Sequence, residues 1–295
     1  MLQFPLWKKL IIWGLCLLGV AAAAPNLFYD RVEQHNDAIA RIEKTGVTSD
    51  ADAAARRGDY ATALRLWRPL AERGDTHAQF NIGLMHFNGH GVPQDHAEAI
   101  RLWRPIALRG DALAQFSLGF MYDHAQGVAE DVAEALHWYR LSAAQDNASA
   151  QSALGDFHTE GRGVKEDRGE ALRWYRLAAA QGEASAQFAI GYAYANGNGV
   201  AQDDAEAVKW YRLAADQDEA AAQVNLGLMY YNGRGVPQDY RLAFRWFALA
   251  AAQGEDAADG LREMVAAKMT PEQIAEAEES LRDPRLRNLI ARRKP

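Results

Sequence analysis

An aspartate returns every 36 residues from Asp59 onward, at Asp95, Asp131, Asp167, Asp203 and Asp239, with an alanine four places after each, from Ala63 to Ala243. Six aspartates in one register make this chain a tandem array. Each unit of such an array is a supersecondary element that buries its apolar face only by stacking on its neighbours. A chain of 295 residues would otherwise suit about two ordinary domains; here one thin core is spread along the chain.

Each period divides into two halves. In the first, Leu66-Trp67, Leu102-Trp103, Trp138-Tyr139, Trp174-Tyr175, Trp210-Tyr211 and Trp246-Phe247 stand seven and eight places after the aspartate, and Ala71, Ala107, Ala143, Ala179, Ala215 and Ala251 stand twelve after it. Offsets 4, 5, 8 and 12 share one helical face, so this half is an amphipathic helix, helix A. The aspartate suits its N-cap, and Glu98, Glu134, Glu170 and Glu206, three residues on, have the spacing of a capping box. The second half, helix B, carries Ala78-Gln79, Ala114-Gln115, Ala150-Gln151, Ala186-Gln187 and Ala222-Gln223. Ile82-Gly83, Leu118-Gly119, Leu154-Gly155, Ile190-Gly191 and Leu226-Gly227 follow, and then rings at His86, Tyr122, His158, Tyr194 and Tyr230. A helical glycine costs ~1 kcal/mol against alanine, so five at one offset predict close approach of a neighbouring backbone. The loops Gly89-His90-Gly91-Val92, Gly161-Arg162-Gly163-Val164, Gly197-Asn198-Gly199-Val200 and Gly233-Arg234-Gly235-Val236 end helix B, their glycines supplying left-handed backbone.

The pattern is fullest from Ala171 to Val200: Ala-x-x-Trp-Tyr-Arg-Leu-Ala-Ala-x-Gln, then Ala-x-Ala-Gln-x-x-Ile-Gly, then Gly-x-Gly-Val. It resembles the Sel1-like repeat family, relatives of the tetratricopeptide repeats. The resemblance covers residues 59–267 as five full repeats and a partial sixth. It implies an all-α, right-handed superhelical α-solenoid of helix-turn-helix repeats that holds other proteins or peptides. Cysteine-rich members of that family carry one disulfide per repeat; this chain has no cysteine after Cys16.

Three irregularities refine the array. Pro69 and Pro105 take the helix A position held later by Leu141, Leu177, Leu213 and Leu249, and an interior proline, at ~3 kcal/mol, is expected to bend or shorten its helix. Thr270-Pro271-Glu272-Gln273 reads as a helix start, so residues 268–295 form a C-terminal capping helix and basic tail. Residues 30–58 read as a tether and lead-in helix, with Ser49 to Asp52 at capping-box spacing.

The amino terminus is a membrane signal. After residues 1–9, with Lys8 and Lys9, residues 10–29 form an uncharged segment of the ~20 residues that cross ~30 Å of hydrocarbon. Trp13, Phe28 and Tyr29 suit interfacial anchors, and Pro25 disfavours cleavage after Ala24. A transmembrane anchor is therefore expected, with a cleaved signal peptide as its rival. The basic residues precede the span, which puts the N-terminus in the cytoplasm and the repeats outside, in the periplasm of a Gram-negative cell. Phe4-Pro5-Leu6-Trp7-Lys8, Ala24-Pro25-Asn26 and Phe28-Tyr29-Asp30-Arg31-Val32-Glu33 resemble the start of the export subunit SecD, in which this segment is an uncleaved first transmembrane helix. That resemblance implies anchoring and raises a link to the protein-export machinery.

A net charge of -7 argues against a general nucleic-acid partner. Neither a cofactor, a metal site nor a catalytic residue is expected. Cys16 lies in the anchor segment. His86, His90 and His96 complete no tetrahedral set, and the glycine loops lack the lysine and hydroxyl of a phosphate cradle. One surface feature stands out. Offsets 6 and 9 of helix A carry Arg65 and Arg68, Arg101 and Arg104, His137 and Arg140, Arg173 and Arg176, Lys209 and Arg212, then Arg245. This basic ladder reads either as a solvated face neutralised by glutamates three residues earlier or as a clamp for acidic partner peptides. The expected function is a non-enzymatic interaction scaffold that binds partner proteins or peptides. A binding module for cell-wall glycopeptide or another envelope polymer is the alternative, and an envelope hydrolase the weakest reading.

Overall fold

The computed structural model describes residues 46–282, among which the only regular secondary structure is helical. The segment expected to anchor the chain, most of the tether and the basic tail lie outside the described residues. Residues 46–56 form α1. The A helices are α2 (Tyr60–Glu72), α4 (His96–Leu108), α6 (Val132–Ala143), α8 (Arg168–Ala180), α10 (Asp204–Ala215) and α12 (Tyr240–Ala252). The B helices alternate with them: α3 (Thr76–Asn88), α5 (Ala112–Asp123), α7 (Ala148–Glu160), α9 (Ala184–Asn196), α11 (Ala220–Asn232) and α13 (Asp256–Ala266). The last helix is α14 (Pro271–Arg282). The chain packs as two compact units, divided between Ala99 and Ile100 within α4.

All six periodic aspartates cap their A helices, accepting amide hydrogens two or three residues on at 2.9–3.1 Å. The capping boxes expected at four of them form only by half. The amide hydrogens of Asp95, Asp131, Asp167, Asp203 and Asp239 bond instead, at 2.8–3.1 Å, to the carbonyls of His86, Tyr122, His158, Tyr194 and Tyr230. This bond ties each glycine loop shut, and it leaves the glutamates to other donors. Glu134 accepts from the Trp138 indole, Glu170 from Arg173 and Glu206 from Lys209. The B helices have caps the periodicity did not reveal, at Asp75, Asp111 and Asn147.

Small residues let the helices approach. Ala135, Ala150, Ala186, Ala207, Ala222 and Ala243 are fully buried. The glycines inside helix B have a different cause from the one expected. A Cβ on Gly119, Gly155, Gly191 or Gly227 would lie 2.4–2.7 Å from the ring of Tyr139, Tyr175, Tyr211 or Phe247, on the A helix that follows. An aromatic ring, and not a neighbouring backbone, lies against each glycine. Loop glycines match the expectation more closely: Gly161, Gly197 and Gly233 are left-handed C-caps with φ near 70°.

Buried glutamines staple successive repeats. Gln115, Gln151 and Gln223 donate to the carbonyls of Ala107, Ala143 and Ala215 near the end of the preceding A helix. Gln115, Gln151, Gln187 and Gln223 also accept, at 2.8–2.9 Å, from Gln145, Gln181, Gln217 and Gln253 in the next repeat. Each amide thereby satisfies polar groups that burial would otherwise strand.

Two expectations need correction. Pro69 and Pro105 do not shorten their helices: α2 and α4 have 13 residues, like α8 and α12. Each proline has only three helical residues after it, so little helix remains to disrupt. Ser49 is no N-cap, because α1 is already helical at residue 46; Asp52 instead meets the Trp67 indole and His77 at 3.3 and 2.9 Å. At the far end the Thr270–Gln273 capping box closes in both directions, and α14 places Ile274 and buried Ala277 against the core of the last repeats.

Candidate functional site

Helix A presents the basic ladder. In the first unit, Arg65 and Arg68 are exposed and border a recess on α2 with Leu64, Pro69 and Glu72. In the second unit, Arg101, Arg104, Arg140, Arg173, Arg176 and Lys209 are exposed and Arg212 is half-buried. Several have local partners. Arg173 pairs with Glu170 at 2.7 Å and Lys209 with Glu206 at 2.6 Å, while Arg104 and Arg212 donate to the hydroxyls of Tyr122 and Tyr230. Arg245 departs from the pattern: it is buried, 7% exposed, and so is withdrawn from the ladder's surface. The neutralised-face reading therefore describes Arg173 and Lys209. Arg104 and Arg212 do a different job, joining helix A to helix B of the same repeat.

A second concavity lies elsewhere, on the B helices of the second unit, and the sequence reading did not find it. It is a recess of about 410 Å³ between α5, α7 and the start of α9. Its apolar wall is Phe116, Phe120, Tyr139 and Phe157, and its polar rim carries Asp123, Asp156, Glu160 and Glu183 with Arg162 and His124. Helical spacing assembles it: Phe116 and Phe120, and Ser152, Asp156 and Glu160, recur at four-residue intervals and so share a face. Arg162 enters from the glycine loop after α7. It bonds Asp123 at 2.6 Å and Glu130 at 3.3 Å, with its guanidinium 4.7 Å from the centre of the Phe157 ring.

The aromatic hydroxyls order the carboxylates. Tyr175 donates to Asp156 at 2.7 Å and Tyr139 to Asp123 at 3.3 Å. Burial first, and the adjacent carboxylate second, push both phenols well above their ordinary range, so both remain donors. The Asp156 carboxyl is also pushed up. Crowding by protein is the largest cause, the Tyr175 bond opposes it, and the charges of Glu160 and Asp123 add to it. Asp156 still meets solvent at the rim. Glu183 is the N-cap residue of α9 but does not cap it; its carboxylate lies instead near Ser149 and Ser185 at 3.5 and 3.3 Å.

Among the described residues no three or more histidines, cysteines or carboxylates are grouped to hold a metal ion. His86, His90 and His96 do not converge: His90 stacks on Tyr60 and His96 on Phe87, and His86 is half-buried in α3. Among the described residues no helix is long and apolar enough to cross a membrane.

The family model described as Sel1 repeat matches residues 76–111, 112–147, 148–183, 184–219 and 220–255. Each match opens on a B helix and runs through the next A helix, so it has the 36-residue period in a different phase. The chain is similar to a protective antigen of uropathogenic Escherichia coli, c5321, with an SLR fold: TM-score 0.67, 34% identity, 84% of this chain and 56% of that one. A Sel1 repeat protein from Oxalobacter formigenes aligns with TM-score 0.68 and 29% identity over 79% of this chain and 95% of its own. The protein translocase subunit SecD of Rhodobacter capsulatus is 45% identical over 87 residues, 28% of this chain and 16% of SecD. The chain thus spans just over half of the Escherichia coli protein and about a sixth of SecD.

Proposed function

The chain belongs to the Sel1 repeat family, and from that premise we propose that it is a non-enzymatic scaffold, anchored in the cytoplasmic membrane with its repeats facing the periplasm, that holds partner proteins or peptides. The repeat itself carries this reading. Similar helix pairs recur every 36 residues, and within the second unit four successive A helices hold exposed basic residues, a surface suited to an extended partner. Crosslinking in intact cells, followed by identification of what is joined to the repeats, tests it; recovery of no protein partner would sink it.

The ladder is the proposed contact for acidic partners, through Arg65, Arg68, Arg101, Arg104, Arg140, Arg173, Arg176, Lys209 and Arg212, with Arg245 set aside because it is buried. Arg173 and Arg176 stand three apart on α8 and are both exposed, so a partner carboxylate would compete with Glu170 for Arg173 and meet the planar fork of Arg176 beside it. Reversing both to glutamate should abolish capture of an acidic partner without changing helicity; undiminished capture refutes the clamp.

The apolar run at residues 10–29 and the 87-residue similarity to SecD support the anchor. A link to the export machinery rests on that similarity alone, and copurification with the translocon tests it. The glycopeptide alternative has Tyr192 in its favour, an aromatic 48% exposed on a B helix. Retention on a peptidoglycan column would favour that alternative over a peptide binder.

A further inference from the structure

We propose that the recess between α5, α7 and the start of α9 receives an arginine side chain of a partner protein, held by Asp156, Glu160 and Glu183 against the rings of Phe116 and Phe120. This deepens the scaffold reading and rests on it. It names a second surface, of opposite charge to the ladder.

Charge imbalance comes first. Four carboxylates border the recess, while its one arginine, Arg162, is already engaged with Asp123 and Glu130 and lies 3.9 Å from Glu160. One guanidinium thus faces four carboxylates, and the rim keeps a net negative charge shared among Asp156, Glu160 and Glu183. The Glu183 carboxylate stands at the rim of the recess, where Ser149 and Ser185 donate to it.

The walls narrow the choice of cation. Phenyl faces attract a guanidinium through the ring quadrupole and also cover its apolar stem. Arg162 supplies the template inside the same recess: its guanidinium lies over Phe157 while it bonds a carboxylate. A planar fork suits this combination better than a compact ammonium. The volume of about 410 Å³ falls within the ~300–1,000 Å³ of pockets that enclose small ligands.

The test uses the full-length chain and a fluorescein-labelled dodecapeptide with one central arginine among serines and alanines, titrated by fluorescence anisotropy beside versions with citrulline or glutamate at the centre. Arginine should bind about tenfold more tightly than the neutral citrulline. Glu160→Gln with Asp156→Asn should erase that preference, and Glu279→Gln, at an exposed position on α14, should leave it intact. Glu160 is exposed, so Glu160→Gln alone serves if the double variant melts early. Equal binding of arginine and citrulline, a preference that survives the substitutions, or no saturable binding at millimolar peptide would each overturn the assignment. If crosslinking in cells still returns partners, only the recess assignment falls; if it returns none, the scaffold reading falls with it.

Discussion

At the scale of the residue, the most exacting positions are those that have no side chain. Gly155 faces Tyr175, where an added Cβ would stand 2.4 Å from the ring, and the ring is buried with its hydroxyl tied to Asp156, which leaves it little room to retreat. Gly155→Ala should therefore destabilise the array by ~1–3 kcal/mol despite alanine's better helix propensity, read as a lower urea midpoint; an unchanged midpoint would show that Tyr175 can move aside. Asp156 yields a second prediction. Its carboxyl binds a proton more tightly in the folded chain than in the unfolded one, so folding loses stability as pH rises through the raised value and recovers it below the ordinary carboxylate range. Asp156→Asn should gain on the native chain at about pH 7, and the gain should shrink at about pH 3. Denaturant unfolding at both values decides it, since a pH-independent difference would mean that no shift exists.

At the scale of the element, A and B helices are joined by polar devices as much as by packing. Gln223 is fully buried, donates to the Ala215 carbonyl and accepts from Gln253 one repeat on. Gln223→Leu keeps the volume and removes both bonds. The Ala215 carbonyl then loses its side-chain donor in the core, and the variant should be ~1–3 kcal/mol less stable; a thermal midpoint equal to that of the native chain would show that the staple adds nothing. The half-formed capping boxes follow the same logic. Once the Tyr194 carbonyl takes the amide hydrogen of Asp203 at 3.0 Å, Glu206 is released to pair with Lys209 at 2.6 Å. The spacing of aspartate and glutamate correctly marked where each helix starts. It could not show that a residue from the preceding helix competes for the same donor.

At the scale of the whole molecule, the array ends as solenoids must, with a helix that covers its last apolar face: α14 supplies Ala277 and Ile274, and Arg241 on α12 pairs with Glu276 at 2.7 Å. The proposed topology makes one further prediction. Removing residues 1–29 should shift the chain from the membrane fraction to the soluble one, and in spheroplasts of the native strain the repeats should be cut by added protease. Repeats protected from protease in intact spheroplasts would reverse the proposed orientation.

The period of 36, the A and B helices, the aspartate caps and the Thr270–Gln273 start were all legible in the order of residues. Each depends on interactions within a few positions or on one apolar face recurring at helical spacing, which a linear pattern records. The ladder was equally legible as a row of charges. Its engagement was not, because Arg104 reaches Tyr122 and Arg245 is enclosed only once helices are stacked. The same holds for Gly155 against Tyr175, the glutamine staples and the acidic aromatic recess. Sequence alone determined which elements form and where they stop. Tertiary structure decided which side chains meet between them, because contacts across stacked helices depend on distance in space, to which separation along the chain gives no guide.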